Sequence, residues 1–256
     1  MIELDVASLI LLAGVAFVAG GIDAIAGGGG LLVLPTLLSL GFPPVAALAT
    51  NKLQGVFGTA MASLSFLRAG LVNWRTAAPG CALAALGSVL AARVVQDIDT
   101  TLLERLMPGL LVAAAAWFLF SPSLDDVERQ QRISRTAFAA GPAFAIGFYD
   151  GIFGPGAGSL YTFAAVALLG VGARRAVGEA KLLNVSSNLF ALLAFAASGA
   201  VIWQAGLVMV CGSGLGAWLG SRLAINKGAA LIRPMLAATS IALAASLARD
   251  AFFGST

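Results

Sequence analysis

The sequence predicts an all-α polytopic integral membrane protein made of two inverted repeats of about five helical segments each, the second segment of each repeat being short and broken by glycines. Three observations carry this. The 256 residues are 59% hydrophobic and 11% charged, with a mean hydropathy of +0.95, whereas soluble domains are about 45–50% apolar and about 25% charged. That excludes a water-soluble fold and, for want of solvating charge, a disordered chain. The apolar runs fall into ten segments, five on each side of a polar stretch at 121–135. The two halves also repeat each other's Asp, Gly, Lys, Trp and Arg residues at a nearly constant offset.

The first segment, 5–26, follows Met1-Ile-Glu-Leu-Asp5. That start lacks the basic region of a signal peptide, so the run reads as a retained span. The other segments before the polar stretch cover 30–41, 45–67, 76–95 and 102–120; those after it cover 136–153, 158–170, 176–198, 203–223 and 231–248. A spanning helix needs about 20 residues, and 30–41 and 158–170 fall short of that. Each follows a Gly-rich run, and extended residues reach about 3.3 Å apiece. A discontinuous crossing helix and a re-entrant half-helix both fit. The chain therefore divides into a first transmembrane repeat at 1–120, a polar cytoplasmic linker at 121–135 and a second repeat at 136–256.

The repeat is specific. Gly20-Gly21-Ile22-Asp23 with Gly27 and Gly29 matches Gly147-Phe148-Tyr149-Asp150 with Gly154 and Gly156, an offset of 127. After a two-residue insertion the offset becomes 129, and Lys52, Gly70, Trp74, Gly87 and Arg93 match Lys181, Gly199, Trp203, Gly216 and Arg222. Apart from Lys52 and Lys181, thirteen Lys and Arg remain. If all ten segments cross and the N-terminus faces out, ten of these lie on the cytoplasmic side and three outside. With the two short segments re-entrant the division is six to seven. The positive-inside rule favours ten crossings. Five crossings per half is odd, which inverts the second copy. Inverted repeats with helices broken at matching positions are a secondary-transporter architecture.

Three sets of residues could carry chemistry. Gly27, Gly28, Gly29 and Gly30, with their counterparts Gly154, Gly156 and Gly158, open the two short helices. Free backbone N–H groups at a helix start hold anions, although small residues also allow close helix packing. Lys52 lies about 12 Å into its helix from Pro44, and Lys181 about 9 Å beyond Arg175. Ionised groups at such depth are costly and need partners. Either they attract an anionic substrate or they form ion pairs, Lys52 with Asp23 and Lys181 with Glu179 or Asp150. Asp23 and Asp150 either exchange protons or cap the Gly-rich turns. Asn51, Gln54, Asn184, Ser186, Ser187 and Asn188 give each third segment a polar face that either ligates oxyanion oxygens or bonds neighbouring helices. With no His, and Cys81 and Cys211 as the cysteines, a His/Cys metal site cannot be assembled. No cofactor is expected.

Asp23-Ala-Ile-Ala-Gly-Gly-Gly-Gly-Leu-Leu32, Pro35, Gly41-Phe-Pro-Pro44, Ala49-Thr-Asn-Lys-Leu53 and Phe57-Gly-Thr59 resemble the first repeat of the TauE/SafE family of membrane proteins. Gly147-Phe-Tyr-Asp-Gly-Ile-Phe-Gly-Pro-Gly-Ala-Gly158 and Ala180-Lys-Leu-Leu-Asn-Val-Ser-Ser-Asn188 resemble its second. The likeness covers about residues 5 to 248. It implies a transporter of sulfur-containing anions such as sulfite or organosulfonates, often moving them outward. The second repeat has Pro155 where the family pattern has glycine, which makes the two turns unequal. The expected function is a secondary transporter working by alternating access from the cell (inner) membrane, not an enzyme. A passive anion channel and an intramembrane aspartyl protease are the alternatives. The partners expected are a small anionic substrate and the lipid bilayer, with a homodimer left open and no nucleic acid.

Overall fold

The computed structural model describes residues 4–120 and 124–228, and among these all the regular secondary structure is helical. The segment expected at 231–248 lies outside the described residues. Ten α-helices follow in order: α1 Val6–Ala26, α2 Gly30–Ser39, α3 Pro44–Arg68, α4 Trp74–Asp97, α5 Thr100–Phe120, α6 Arg135–Phe138, α7 Phe144–Ile152, α8 Ala157–Ala164, α9 Ala173–Ala197 and α10 Trp203–Lys227. A π-helical turn at Ala139–Ala143 joins α6 to α7, so the two form one bent segment. Pro142 lies inside that turn. It has no N–H and clashes with a carbonyl one turn back, and a wider turn absorbs both effects. Among the described residues four helices, α1, α4, α9 and α10, are long and apolar enough to cross a membrane. This is a polytopic membrane protein.

Local chemistry sets the helix ends. Asp5 and Ser134 cap α1 and α6 by accepting the backbone N–H of Ser8 and of Ala137, and Pro44 occupies the first position of α3, where its missing N–H costs nothing. The repeat mates Gly70 and Gly199 close α3 and α9 in the same way. Each has positive φ, and the next residue, Leu71 or Ala200, donates back to Phe66 or Phe195. That is the glycine-terminated helix end in which a 6→1 bond satisfies an orphan carbonyl.

Packing couples one repeat to the other. α1 lies against α10 in a parallel run: a Cβ on Gly212, Gly216 or Gly220 would strike the backbone of Ala13, Phe17 and Gly21 in turn. In the other pairing, a Cβ on Gly87 would strike Phe144 and one on Gly151 would strike Ser88, so α4 and α7 are matched likewise. Phe17 and Gly216 are the repeat mates of Phe144 and Gly87. The doubled GxxxG of α10 and the weaker small-residue pair of α4 thus make the same kind of backbone-to-backbone seam. α3 also runs parallel to α10: Thr50 Oγ1 accepts the N–H of Ile202, Leu53 packs on Gly206, and Gly58 on Ser213. Since α1 and α3 both parallel α10, α2 must return along the bundle between them. α3 and α9 run antiparallel, for Gly55 faces Asn188 while Phe66 faces Gly178.

Residues 124–134 are strapped to the second half. Arg129 and Arg132 donate backbone N–H bonds to Gly170 and Leu168 (2.7 and 3.0 Å), and Ala173 donates to Asp125 O (2.9 Å). Glu128 pairs with Arg175, and Asp126 with Arg174. Arg135, at the end of the strap, grips the buried Glu179 with both guanidinium nitrogens at 3.1 and 3.0 Å.

Candidate substrate site

The two helix breaks pack against each other. Gly27 packs directly on Gly158 and Ser159, Gly30 lies against Pro155, and the Ser159 hydroxyl donates to Ala26 O. These approaches leave no room for a Cβ at Gly27, whose φ of +80° also favours glycine. The turns differ as Pro155 predicts. The first repeat puts positive φ on Gly27 and Gly28, whereas the second puts it on Gly154 and Gly156, on either side of a proline that cannot adopt it.

Beside the breaks lies a polar cavity of about 40 Å³, room for roughly three waters or one small oxyanion head. Asp23, Gly29, Gly30, Asn51, Lys52, Gln54, Asp150, Gly154, Gly156, Gly158, Asn184 and Asn188 line it. All twelve are among the residues that the sequence offers for substrate binding, proton coupling or turn capping. Gly27 and Gly28 sit behind the lining, and Lys181 reaches its edge beside Gly158. Ala19, Gly20 and Gly55 also line the cavity without having been singled out for it, as do Thr59 and Gly58. The repeat offset of 129 carries the last two onto Asn188 and Ser187, and that signal would have found them.

The lysines are paired, but not with the partners expected. Lys52 Nζ lies 2.6 Å from Asp150 Oδ1 and also donates to Asp150 O. Lys181 Nζ lies 3.0 Å from Asp23 Oδ2 and also donates to Asp23 O. The expected Lys52–Asp23 and Lys181–Glu179 or Lys181–Asp150 pairs are therefore corrected: each lysine takes the aspartate of the opposite repeat, and Glu179 belongs to Arg135. The cause is the crossed packing, which brings α7 rather than α1 to Lys52. On the α3–α9 register the two lysine backbones stand about 15 Å apart along the bundle, on either side of the Gly55–Asn188 contact. Both side chains are 1% exposed, with Asp150 at 2% and Asp23 at 20%.

The carboxylates differ in their remaining bonds. Asp23 Oδ1 accepts the backbone N–H of Gly28 (3.1 Å) and Gly29 (3.3 Å). It is the turn cap, and it takes two amides that the helix start was expected to offer an anion. Asp150 does not cap its turn; its Oδ2 accepts the Ser187 hydroxyl. Amide donors remain in the second break, where the backbone N–H groups of Gly156 and Gly158 have no acceptor among the described residues. Asn51 and Asn184 spend their carbonyl oxygens on Gln54 and Asn188, leaving their NH₂ groups beside Gly30 and Gly158. Each ammonium has three donors and uses two. The polar faces of α3 and α9 thus divide: Ser186 bonds Cys81 O on α4, while the Asn and Gln side chains face the cavity.

Buried charges balanced in pairs, a small donor-lined cavity and helices broken at matched positions define a membrane protein of the transporter class. Residues 12–247 match the model of the family described as sulfite exporter TauE/SafE. The chain belongs to the TauE/SafE family. It is 44% identical to a "Probable membrane transporter protein ORF9" of a Sinorhizobium species, over 92% of this chain and 90% of that protein. It is 43% identical to a "Probable membrane transporter protein" of Haemophilus influenzae over 97% of both chains, and 43% identical to the "Probable membrane transporter protein YfcA" of Escherichia coli K12 over 92% and 88%. No solved structure matches.

Proposed function

We propose that this protein is a secondary transporter, in the exporting direction, for small sulfur-containing anions such as sulfite or organosulfonates, operating by alternating access in the cell (inner) membrane. The observation that carries the reading is the cavity itself. It is small, lies where the two helix breaks touch, and collects amide N–H, carboxamide and ammonium donors from both repeats. Donors converging in a site of low dielectric hold an oxyanion without reorganising. The antiparallel run of the repeat mates α3 and α9, with α2 returning between α1 and α3, supports inverted repeats whose ten segments all cross. The family description supports sulfite and its export.

The alternatives fit less well. A channel needs a continuous polar path, yet an ion pair stands on each side of this cavity. An aspartyl protease needs two carboxylates sharing a proton, and here Asp23 and Asp150 are each taken by a separate lysine. Proteoliposomes loaded with radiolabelled sulfite, sulfoacetate or methanesulfonate test the proposal. Saturable flux, with labelled anion exchanging against unlabelled, is expected, and Asn184→Leu, which removes a free donor, should raise the half-saturating concentration. Flux that never saturates, or no flux of any of the three, would sink it.

A further inference from the structure

The buried centre holds two lysines and two aspartates, a neutral group of four. An arriving anion leaves it with one unbalanced negative charge, and an uncompensated charge in a buried site is strongly unfavourable. Resting on the transporter reading above, we propose that Asp150 is a proton-binding site that couples each transported anion to one proton, whereas Asp23 is structural.

The bonds of the two carboxylates separate their roles. Asp23 Oδ1 is held by two backbone amides, which can donate only. A proton on Oδ1 would orphan an amide, and one on Oδ2 would face the Lys181 ammonium, which can only donate as well. Asp150 Oδ2 is held by a hydroxyl, which can donate or accept. Ser187 Oγ already has a second acceptor in reach, Asn184 O at 3.2 Å. When Asp150 takes a proton on Oδ2, that proton points to Ser187 Oγ and the serine turns its own hydrogen to Asn184. No buried polar group is stranded. The ammonium of Lys52 keeps its bond to Asp150 O, loses its charged partner and turns that charge to the substrate. One proton moves from water to a carboxylate oxygen and no other covalent bond changes.

The surroundings of Asp150 suit this. α3 presents Lys52, α9 presents Ser187, and α8 presents Tyr161, whose hydroxyl is fully buried without a hydrogen-bond partner and lies near both Ser187 and Asp150. Tyr149 adjoins on α7, its hydroxyl spent on Pro155 O (2.6 Å), and Cys81 of α4 stands near Tyr161. Tyr161 is thus a second hydroxyl beside this carboxylate. Neither Ser187 nor Tyr161 has a counterpart at Asp23: the repeat offsets of 129 put Gly58 and Leu32 there.

The test uses purified protein in proteoliposomes with methanesulfonate, which carries no titratable group near neutrality. Joint movement of anion and proton runs outward down the anion's own gradient and inward when protons are in excess outside. An acid-outside pH jump should therefore drive accumulation of the anion, and a potassium–valinomycin potential alone should not. Asp150→Asn should lose pH-driven accumulation yet keep exchange of labelled for unlabelled anion at a reduced rate. Asp23→Asn should keep the pH dependence while transporting more slowly. Accumulation driven by potential, or pH-driven accumulation that survives Asp150→Asn, overturns the proposal. Should that variant fail to fold, Ser187→Ala decides: the midpoint of the flux–pH profile should move by about one unit, and an unmoved midpoint overturns the proton site. Exchange without pH-driven accumulation in the unmodified protein rejects the proton site alone, whereas absence of exchange rejects the transporter reading with it.

Discussion

Lys52 of the first repeat meets Asp150 of the second at 2.6 Å, and its repeat mate Lys181 meets Asp23 at 3.0 Å. Each lysine thus ties its own half to the other half. A duplicated unit closed on itself would have paired Lys52 with Asp23. The crossed arrangement makes neither repeat complete alone, because each supplies a cation to a carboxylate it does not own.

Double-mutant cycles should read this pairing directly. Lys52→Met leaves Asp150 buried and unpaired, which costs about 3–5 kcal/mol. Combining Lys52→Met with Asp150→Asn should restore a large part of that loss, and Lys181→Met with Asp23→Asn should behave similarly. Lys52→Met with Asp23→Asn should recover far less, because those two groups share the cavity without touching. Thermal unfolding in detergent measures all of these, and strong coupling between positions 52 and 23 would contradict the observed geometry.

The small-residue seams give a second contrast, within one helix. A Cβ on Gly216 would collide with Phe17 O, whereas at Gly214 it would meet nothing within 4 Å. Gly216→Ala should therefore destabilise by about 1–3 kcal/mol through overpacking, and Gly87→Ala, its repeat mate against Phe144, by a similar amount. Gly214→Ala should stay within about 0.5 kcal/mol of the unmodified protein. Equal stability of the Gly214 and Gly216 variants would mean that α1 and α10 do not pack as described.

Much of this was legible in the sequence, because burial in lipid leaves simple marks. Apolar length marked the segments, and the repeated Asp, Gly and Lys positions marked the site. The lysine partners were not legible, since local spacing shows which residues share a helix and not which helix crosses next to which. The division of labour between Asp23 and Asp150 was hidden for a related reason. It depends on Ser187 and Tyr161, which come from α9 and α8 and whose repeat mates, Gly58 and Leu32, carry no hydroxyl. Glu179 was read as a neighbour of Lys181 two residues away; on a helix, residues so spaced do not face each other, and the strap brings Arg135 to Glu179 instead.

The direction of the bundle in the membrane is the remaining consequence that labelling can check. Ten crossings with the N-terminus outside place the α3–α4 turn at Leu71–Asn73 and the strap residues 129–132 on the cytoplasmic face, and the α4–α5 turn at Ile98–Asp99 and the α9–α10 turn at Gly199–Val201 outside. The strap's own chemistry agrees, since its Arg129 and Arg132 and the neighbouring Arg174 and Arg175 cluster on one side, as cytoplasmic loops do. In a Cys81→Ser, Cys211→Ser background, single cysteines at Val72, Arg132, Asp99 and Ala200 should divide accordingly. An impermeant thiol reagent added to intact cells should label Asp99→Cys and Ala200→Cys, and label Val72→Cys and Arg132→Cys only after permeabilisation. The decisive comparison is Val72 against Ala200, because they follow the ends of the repeat mates α3 and α9. Labelling of both from the same side would mean that the two copies run in the same direction, and the inverted arrangement on which the shared cavity depends would be lost.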